Sequence, residues 1–243
     1  MTEVPPTLVS GVMNFRDVGG LPAEGGLTRS GVLYRSGNLA DVDAAGAESL
    51  RGLGLRRILD LRDDEEVTRS PSRVDGLDLT TQRVPLFLGS VASFFRNDPS
   101  LGELYDSLIE DSADRVVEVV RSVLVDQPVL VHCTVGKDRT GVTVALTLAA
   151  AGVDLDAVVD DYARTETLLP ASRNTQVIAR LRAMHPEARH LEELATRSPA
   201  PVMRDLLARL EREYGSPSDY LRAQGLGDDE IAELRRILIV RPA

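Results

Sequence analysis

Short apolar runs alternate with amphipathic stretches over roughly the first two thirds of the chain. Val32-Leu33-Tyr34, Arg57-Ile58-Leu59-Asp60-Leu61 and Val129-Leu130-Val131-His132 are brief and β-branched or leucine-rich, which predicts buried strands. Thr81–Leu86 predicts another; Pro85, which has no N–H to give a ladder, puts it at an edge or an ending. Between them, Asp43–Leu53 predicts a helix capped by Asp41 or Asp43, and the acidic run Asp63–Glu66 suits a solvated first helical turn. Ala113–Val125 predicts a helix stopped by Pro128. Thr140–Ala151 is apolar on nearly every face and therefore belongs in the core. Gly152 ends it, and Asp154 caps a further helix over Leu155–Thr165. Residues 1–31, rich in Gly, Pro and polar side chains, predict loop and short strand. The C-terminal third predicts helices only: Asn174–Met184, Glu187–Ala195, Val202–Tyr214, Pro217–Gln224 and Asp228–Ile239. Strands alternating with helices, followed by helices alone, imply an α/β fold: a central, mostly parallel sheet flanked by helices, with a C-terminal helical extension. We expect a single domain over 1–243, with the extension at 166–225 inside it.

Composition narrows the partners. The 243 residues carry a net charge of −10, and 43% are apolar. A chain this acidic makes a poor broad surface for nucleic acid, so an anionic substrate must be caught by a local positive site. No run reaches the roughly 18 apolar residues of a membrane helix, so no stable membrane insertion is expected. Met1-Thr2-Glu3-Val4-Pro5-Pro6 lacks the basic-then-apolar order of a secretory signal. One cysteine allows no internal disulfide, which fits a reducing, cytoplasmic setting.

That cysteine, Cys133, stands four positions before the sole lysine, Lys137; the other 27 of the 28 basic residues are arginine. A lysine kept against such a bias points to a need for a compact ammonium there. The strand Val129–Val131 runs into Cys133, and the buried helix starts near Arg139. The loop between them lies where open α/β sheets bind ligands. Free N–H groups and the dipole at a helix start favour an anion, whether a phosphate or a thiolate. Gly136 lets the backbone wrap closely. Arg139 can curl back from the first turn and hold two phosphate oxygens as charge spreads over them. Thr140 is placed to donate its hydroxyl to the sulfur, and His132 to orient the loop.

The run His132-Cys133-Thr134-Val135-Gly136-Lys137-Asp138-Arg139-Thr140-Gly141 resembles the active-site loop of protein tyrosine phosphatases. Its full form is similar to the bacterial and fungal tyrosine phosphatase family that includes a mycobacterial triple-specificity enzyme. Asn14–Gly20, Leu33–Gly37 and Leu59–Arg62 resemble that family's ordered N-terminal motifs, and Tyr214–Ser216, Tyr220-Leu221 and Gly225-Leu226 its C-terminal helices. The resemblance implies a cysteine phosphatase fold and hydrolysis of phosphotyrosine in proteins through a phosphocysteine, with Ser/Thr specificity or phosphoinositides as further substrates. The mechanism needs no cofactor and no metal, since the cysteine supplies the nucleophile and the loop the charge. In that family's mycobacterial member a helical lid covers the cleft; here the extension reads equally as a lid or as a fixed packing layer.

Two carboxylates compete to protonate the leaving group. Asp138 lies inside the loop, and Asp60 ends a strand expected to run parallel to the Cys133 strand; each also reads as a brace or cap. Lys137 matches a lysine that lipid phosphatases use against inositol phosphates, but Thr134 stands where those enzymes carry a second basic residue. Arg16 and Arg35 are candidate supports for the pocket. His185 and His190 read as surface or packing residues. A catalytically silent phosphate-binding module and a sulfurtransferase are the competing functional classes; the first would typically lack the cysteine or arginine, and the second has no need of Asp138 or Thr140.

Overall fold

A computed structural model describes residues 9–86 and 98–241. The reading of Met1–Pro6 lies outside them. The strands are β1 (Arg16–Asp17), β2 (Pro22–Ala23), β3 (Gly26–Thr28), β4 (Leu33–Ser36), β5 (Arg57–Asp60), β6 (Thr80–Arg83), β7 (Val129–His132) and β8 (Ile239–Val240). The helices are α1 (Ala44–Gly52), α2 (Asp64–Arg69), α3 (Leu101–Asp111), α4 (Ala113–Val123), α5 (Asp138–Ala150), α6 (Leu155–Leu168), α7 (Ala171–Met184), α8 (Leu191–Thr196), α9 (Ala200–Tyr214), α10 (Pro217–Ala223) and α11 (Asp228–Leu238).

The main sheet has the order β1-β4-β7-β5-β6, parallel throughout except for β1, and β6 forms an edge as Pro85 required. Registers place Ser36 and Asp60 on either side of His132, so the loops leaving β4, β5 and β7 share one sheet edge. Alternation along the strands feeds two cores. Tyr34, Ile58 and Leu130 face α1 and the N-terminal segment, while Leu33, Leu59, Val129 and Val131 face the larger helical side. α5 sits on that larger side, buried from Thr140 to Ala150. Each of Val142, Val144, Leu146 and Leu148 removes a whole side chain from water, at about 1.5–3 kcal/mol apiece. That burial fixes where the loop preceding α5 must end.

Several boundaries differ from the sequence reading. The C-terminal third is not purely helical. β8 pairs with β3 in a second sheet, β2-β3-β8, that joins Leu27 to Val240. This long-range pairing lifts Ile239 out of the helix assigned to it. Glu187–Ala195 narrows to α8. α3, which the sequence reading left unassigned, is a well-capped helix: Ser100 and Glu103 form a reciprocal capping box. Among the described residues, no helix is long and apolar enough to cross a membrane.

Candidate active site

The loop between β7 and α5 owes its shape to carbonyls tied on its outer side. Asn38 donates to Thr134 O from its backbone N (3.1 Å) and its Nδ2 (3.0 Å). Asn14 Nδ2 reaches Val135 O at 3.2 Å and Gly136 O at 2.8 Å, and Arg35 Nη2 reaches Gly136 O at 3.0 Å. With carbonyls drawn outward, peptide N–H groups turn the other way, and that of Gly136 donates to Cys133 Sγ at 3.2 Å. Gly136 has φ +72°, and a Cβ there would stand 2.2 Å from Ser36 O, so only glycine closes this turn. Thr140 Oγ1 is buried and makes no hydrogen bond among the described residues; the sulfur's partner is the amide, not the expected hydroxyl.

Behind the loop lies a buried charge cluster. Arg16 and Arg35 converge on Asp161 of α6, through Nε–Oδ1 and Nη1–Oδ2 contacts of 2.7 Å each. Arg16 also bonds Asn14 Oδ1, so the side chain that holds the loop carbonyls is itself held. Burial, with Arg35 nearby, lowers Arg16 to about 10, which leaves it charged at neutral pH. Asp161 drops to about 2: burial pushes it up, but Arg35 and Arg16 outweigh burial. Arg16 and Arg35 thus stand under the loop rather than in the cleft.

In front, Arg139 meets Glu66 of α2 end-on, with Nη1–Oε2 and Nη2–Oε1 both 2.6 Å, and Nη1 also reaches Leu61 O at 3.3 Å. These contacts use the Nη1/Nη2 end of the guanidinium and leave the Nε edge for a second two-pronged partner. Glu66 also accepts from Thr134 Oγ1 and, through its capping box, from Asp63 N. Burial raises the Glu66 pKa, but the Arg139 hydrogen bonds and charge lower it more, to about 2. Burial would depress the Arg139 pKa, but Glu66 and the Cys133 sulfur hold it above the ordinary arginine value.

The two candidate acids occupy different surroundings. Asp60 is 3% exposed, and both its oxygens are held by Arg62, Oδ1 by Nε at 2.9 Å and Oδ2 by Nη2 at 2.7 Å. Burial raises its pKa, and Arg62 more than reverses that, so it is ionised at neutral pH. His132 lies beside it, Nε2 to Oδ1 3.7 Å, and burial lowers this imidazole to about 4, so it is neutral. Asp138, at the start of α5, has only Oδ1 engaged: Lys137 Nζ donates at 2.6 Å and Tyr105 Oη at 2.9 Å. Its Oδ2 makes no hydrogen bond among the described residues. Lys137 is 1% exposed and donates to Arg197 O at 2.9 Å as well. Outside this region, His190 is tied to Asp98.

A cysteine held by a backbone amide, an arginine with one edge free among the described residues and a neighbouring carboxyl group form a site for a tetrahedral anion. The profile described as the tyrosine phosphatase family matches residues 7–240. The chain belongs to the tyrosine phosphatase family. It is 32% identical over 276 residues to the triple specificity protein phosphatase PtpB of Mycobacterium tuberculosis, covering 94% of this chain and 97% of that protein. A tyrosine-protein phosphatase of Nostoc commune is 30% identical over 215 residues, covering 83% and 72%. A solved structure of P. aeruginosa TpbA with phosphotyrosine overlays loosely, with a TM-score of 0.40 at 16% identity over 76% of this chain and 90% of that one.

The sequence reading missed several residues of this phosphatase's site, Asn38 among them. Glu66 read as solvent-facing, although Asp63-x-x-Glu66 directly after a strand end is a capping-box signal that fixes its carboxylate at the sheet edge. Asp161 falls on the buried face of α6 with Val158, Tyr162 and Thr165, and an acid on an apolar stripe calls for a buried cation. Asn14 lay within a recognised motif without a role. Tyr105 lies on α3, whose signal was Ser100-x-x-Glu103 ahead of an apolar stripe at Leu101, Leu104, Tyr105, Leu108 and Ile109.

Proposed function

We propose that this phosphatase hydrolyses phosphotyrosine in proteins through a phosphocysteine on Cys133, with Asp138 as the proton donor. The Cys133 thiolate attacks phosphorus, and the bond to the leaving oxygen breaks. Arg139, through its Nε edge, and the N–H groups of Thr134 to Lys137 take the charge on the three equatorial oxygens. Asp138 gives a proton to the leaving oxygen. A water then attacks the phosphocysteine, Asp138 takes a proton from it, and phosphate leaves with Cys133 restored as thiolate. Asp60, locked in its pair with Arg62, serves as a brace for the sheet edge and His132 rather than as the acid.

The observation that carries this reading is the Gly136 N–H on Cys133 Sγ, with the Arg139 guanidinium near enough for that sulfur to help hold its charge. Cys133→Ser should abolish turnover of p-nitrophenyl phosphate and still bind orthovanadate; turnover retained in that variant refutes the reading.

The relative named for triple specificity supports extending the substrates to phosphoserine and phosphothreonine. Phosphoinositides are the less favoured alternative, because Lys137 is buried against protein partners. Helix α7 buries only Leu181, so we assign the lid, within the 166–225 extension of a single catalytic domain, to α7. A lone catalytic thiol works best in a reducing, cytoplasmic setting.

A further inference from the structure

We propose that Lys137 is a positioning residue and not a ligand of the substrate phosphate: together with Tyr105 it pins Asp138 Oδ1, so that the carboxyl group works through Oδ2, and it ties this arrangement to the segment entering α9. The proposal rests on the reading of Asp138 as the proton donor.

The geometry is specific. The Lys137 ammonium has three N–H groups; Asp138 Oδ1 takes one at 2.6 Å and Arg197 O another at 2.9 Å. Arg197 is fixed in turn, its Nη1 3.0 Å from Glu166 Oε1, while Ser198 N donates to Glu166 Oε2 at 3.2 Å. The backbone carbonyl that Lys137 grips is therefore anchored on α6. An ammonium that is 1% exposed and gives two of its three N–H groups to protein acceptors keeps at most one for a phosphate.

On the other side, the Tyr105 hydroxyl has a single proton. It goes to Asp138, so Tyr162, 2.8 Å away, is the donor to Tyr105. Burial holds both tyrosines above their ordinary pKa, so both stay protonated through the working range. These donors suit both forms of the carboxyl group. Ionised Asp138 accepts from them at Oδ1; when Oδ2 carries the proton, Oδ1 is a carbonyl oxygen and accepts them still. The group can give up and regain a proton without moving. A compact tetrahedral donor is needed between a carboxylate and a carbonyl, which accounts for one lysine in a chain that otherwise uses arginine.

The test compares Lys137→Met, Tyr105→Phe and Asp138→Asn on p-nitrophenyl phosphate (good leaving group) and phenyl phosphate (poor leaving group), with inhibition by orthovanadate. Lys137→Met and Tyr105→Phe should lose roughly tenfold in kcat on phenyl phosphate, about threefold or less on the nitrophenyl ester, and bind vanadate unchanged. Vanadate binding weakened about tenfold or more in Lys137→Met would make Lys137 a phosphate ligand and overturn the proposal. Equal losses on the two esters, with Asp138→Asn still selective for the good one, would make the contacts merely structural and overturn it alone. No selectivity in Asp138→Asn would instead remove the acid assignment beneath it. Because Lys137 is the sole lysine, reductive methylation followed by peptide mass spectrometry also reads the tether. Slow labelling is expected, and labelling at the rate of an exposed lysine contradicts it.

Discussion

Behind the Cys133 loop, Arg16, Arg35 and Asp161 are each 3% exposed or less; in front of it, the side chains of Arg139 and Glu66 keep 13% and 12%. Both groups pair guanidinium with carboxylate at 2.6–2.7 Å. They differ in what else holds them. The rear cluster is closed: Asp161 takes two cations, and these in turn hold Asn14 and the Gly136 carbonyl. The front pair is open on one edge among the described residues, and that is the edge proposed to clamp the phosphate. The rear fixes the loop's shape at a cost in buried charge, and the front orients one side chain while leaving it half available.

The largest expected effect lies at the rear. Asp161→Ala strands two buried guanidinium groups and should cost about 3–5 kcal/mol, read by denaturant unfolding. The same residue sets a pH signature. Its folded pKa of about 2 lies below its ordinary 3.8, so its contribution is complete above about pH 4 and is lost as pH falls towards 2. Glu66, at about 2 against 4.5, adds a smaller share over the same window because it is partly solvated. Asp161→Asn should flatten the stability slope between about pH 4 and 2; an unchanged slope would remove Asp161 from this role.

Next comes the floor of the site. Asp60→Asn weakens a buried pair and should cost about 2 kcal/mol of stability, with no difference between good and poor leaving groups. A loss confined to the poor leaving group would return Asp60 to the acid role.

The smallest effect on stability is expected in front. Glu66→Gln should change stability by less than about 1 kcal/mol but lower kcat/KM roughly tenfold, since Arg139 loses its end-on anchor. If stability falls as far as in Asp161→Ala, front and rear are not distinct.

How much of this could be read beforehand follows the range of the interactions. β7, the loop and α5 were legible because an apolar run, a glycine turn and a fully apolar helix are local signals. The shared edge of β5 and β7 followed from the parallel arrangement expected of an α/β chain. Asp161 lies 145 residues from Arg16, and only the packing of α6 behind the loop brings them together. β8 meets β3 across nearly the whole chain, so its two residues carried only helix-end pattern. Glu66 was hidden differently: one side chain both caps α2 and holds Arg139, and the first role made it look like surface.

Rapid acid quenching during turnover of p-nitrophenyl phosphate, followed by peptide mass spectrometry, tests the central claim most directly. The peptide containing Cys133 should carry one added phosphoryl group, formed no slower than the nitrophenolate burst and lost at the turnover rate. Full turnover with that peptide unmodified at every quench time would contradict a phosphocysteine at Cys133.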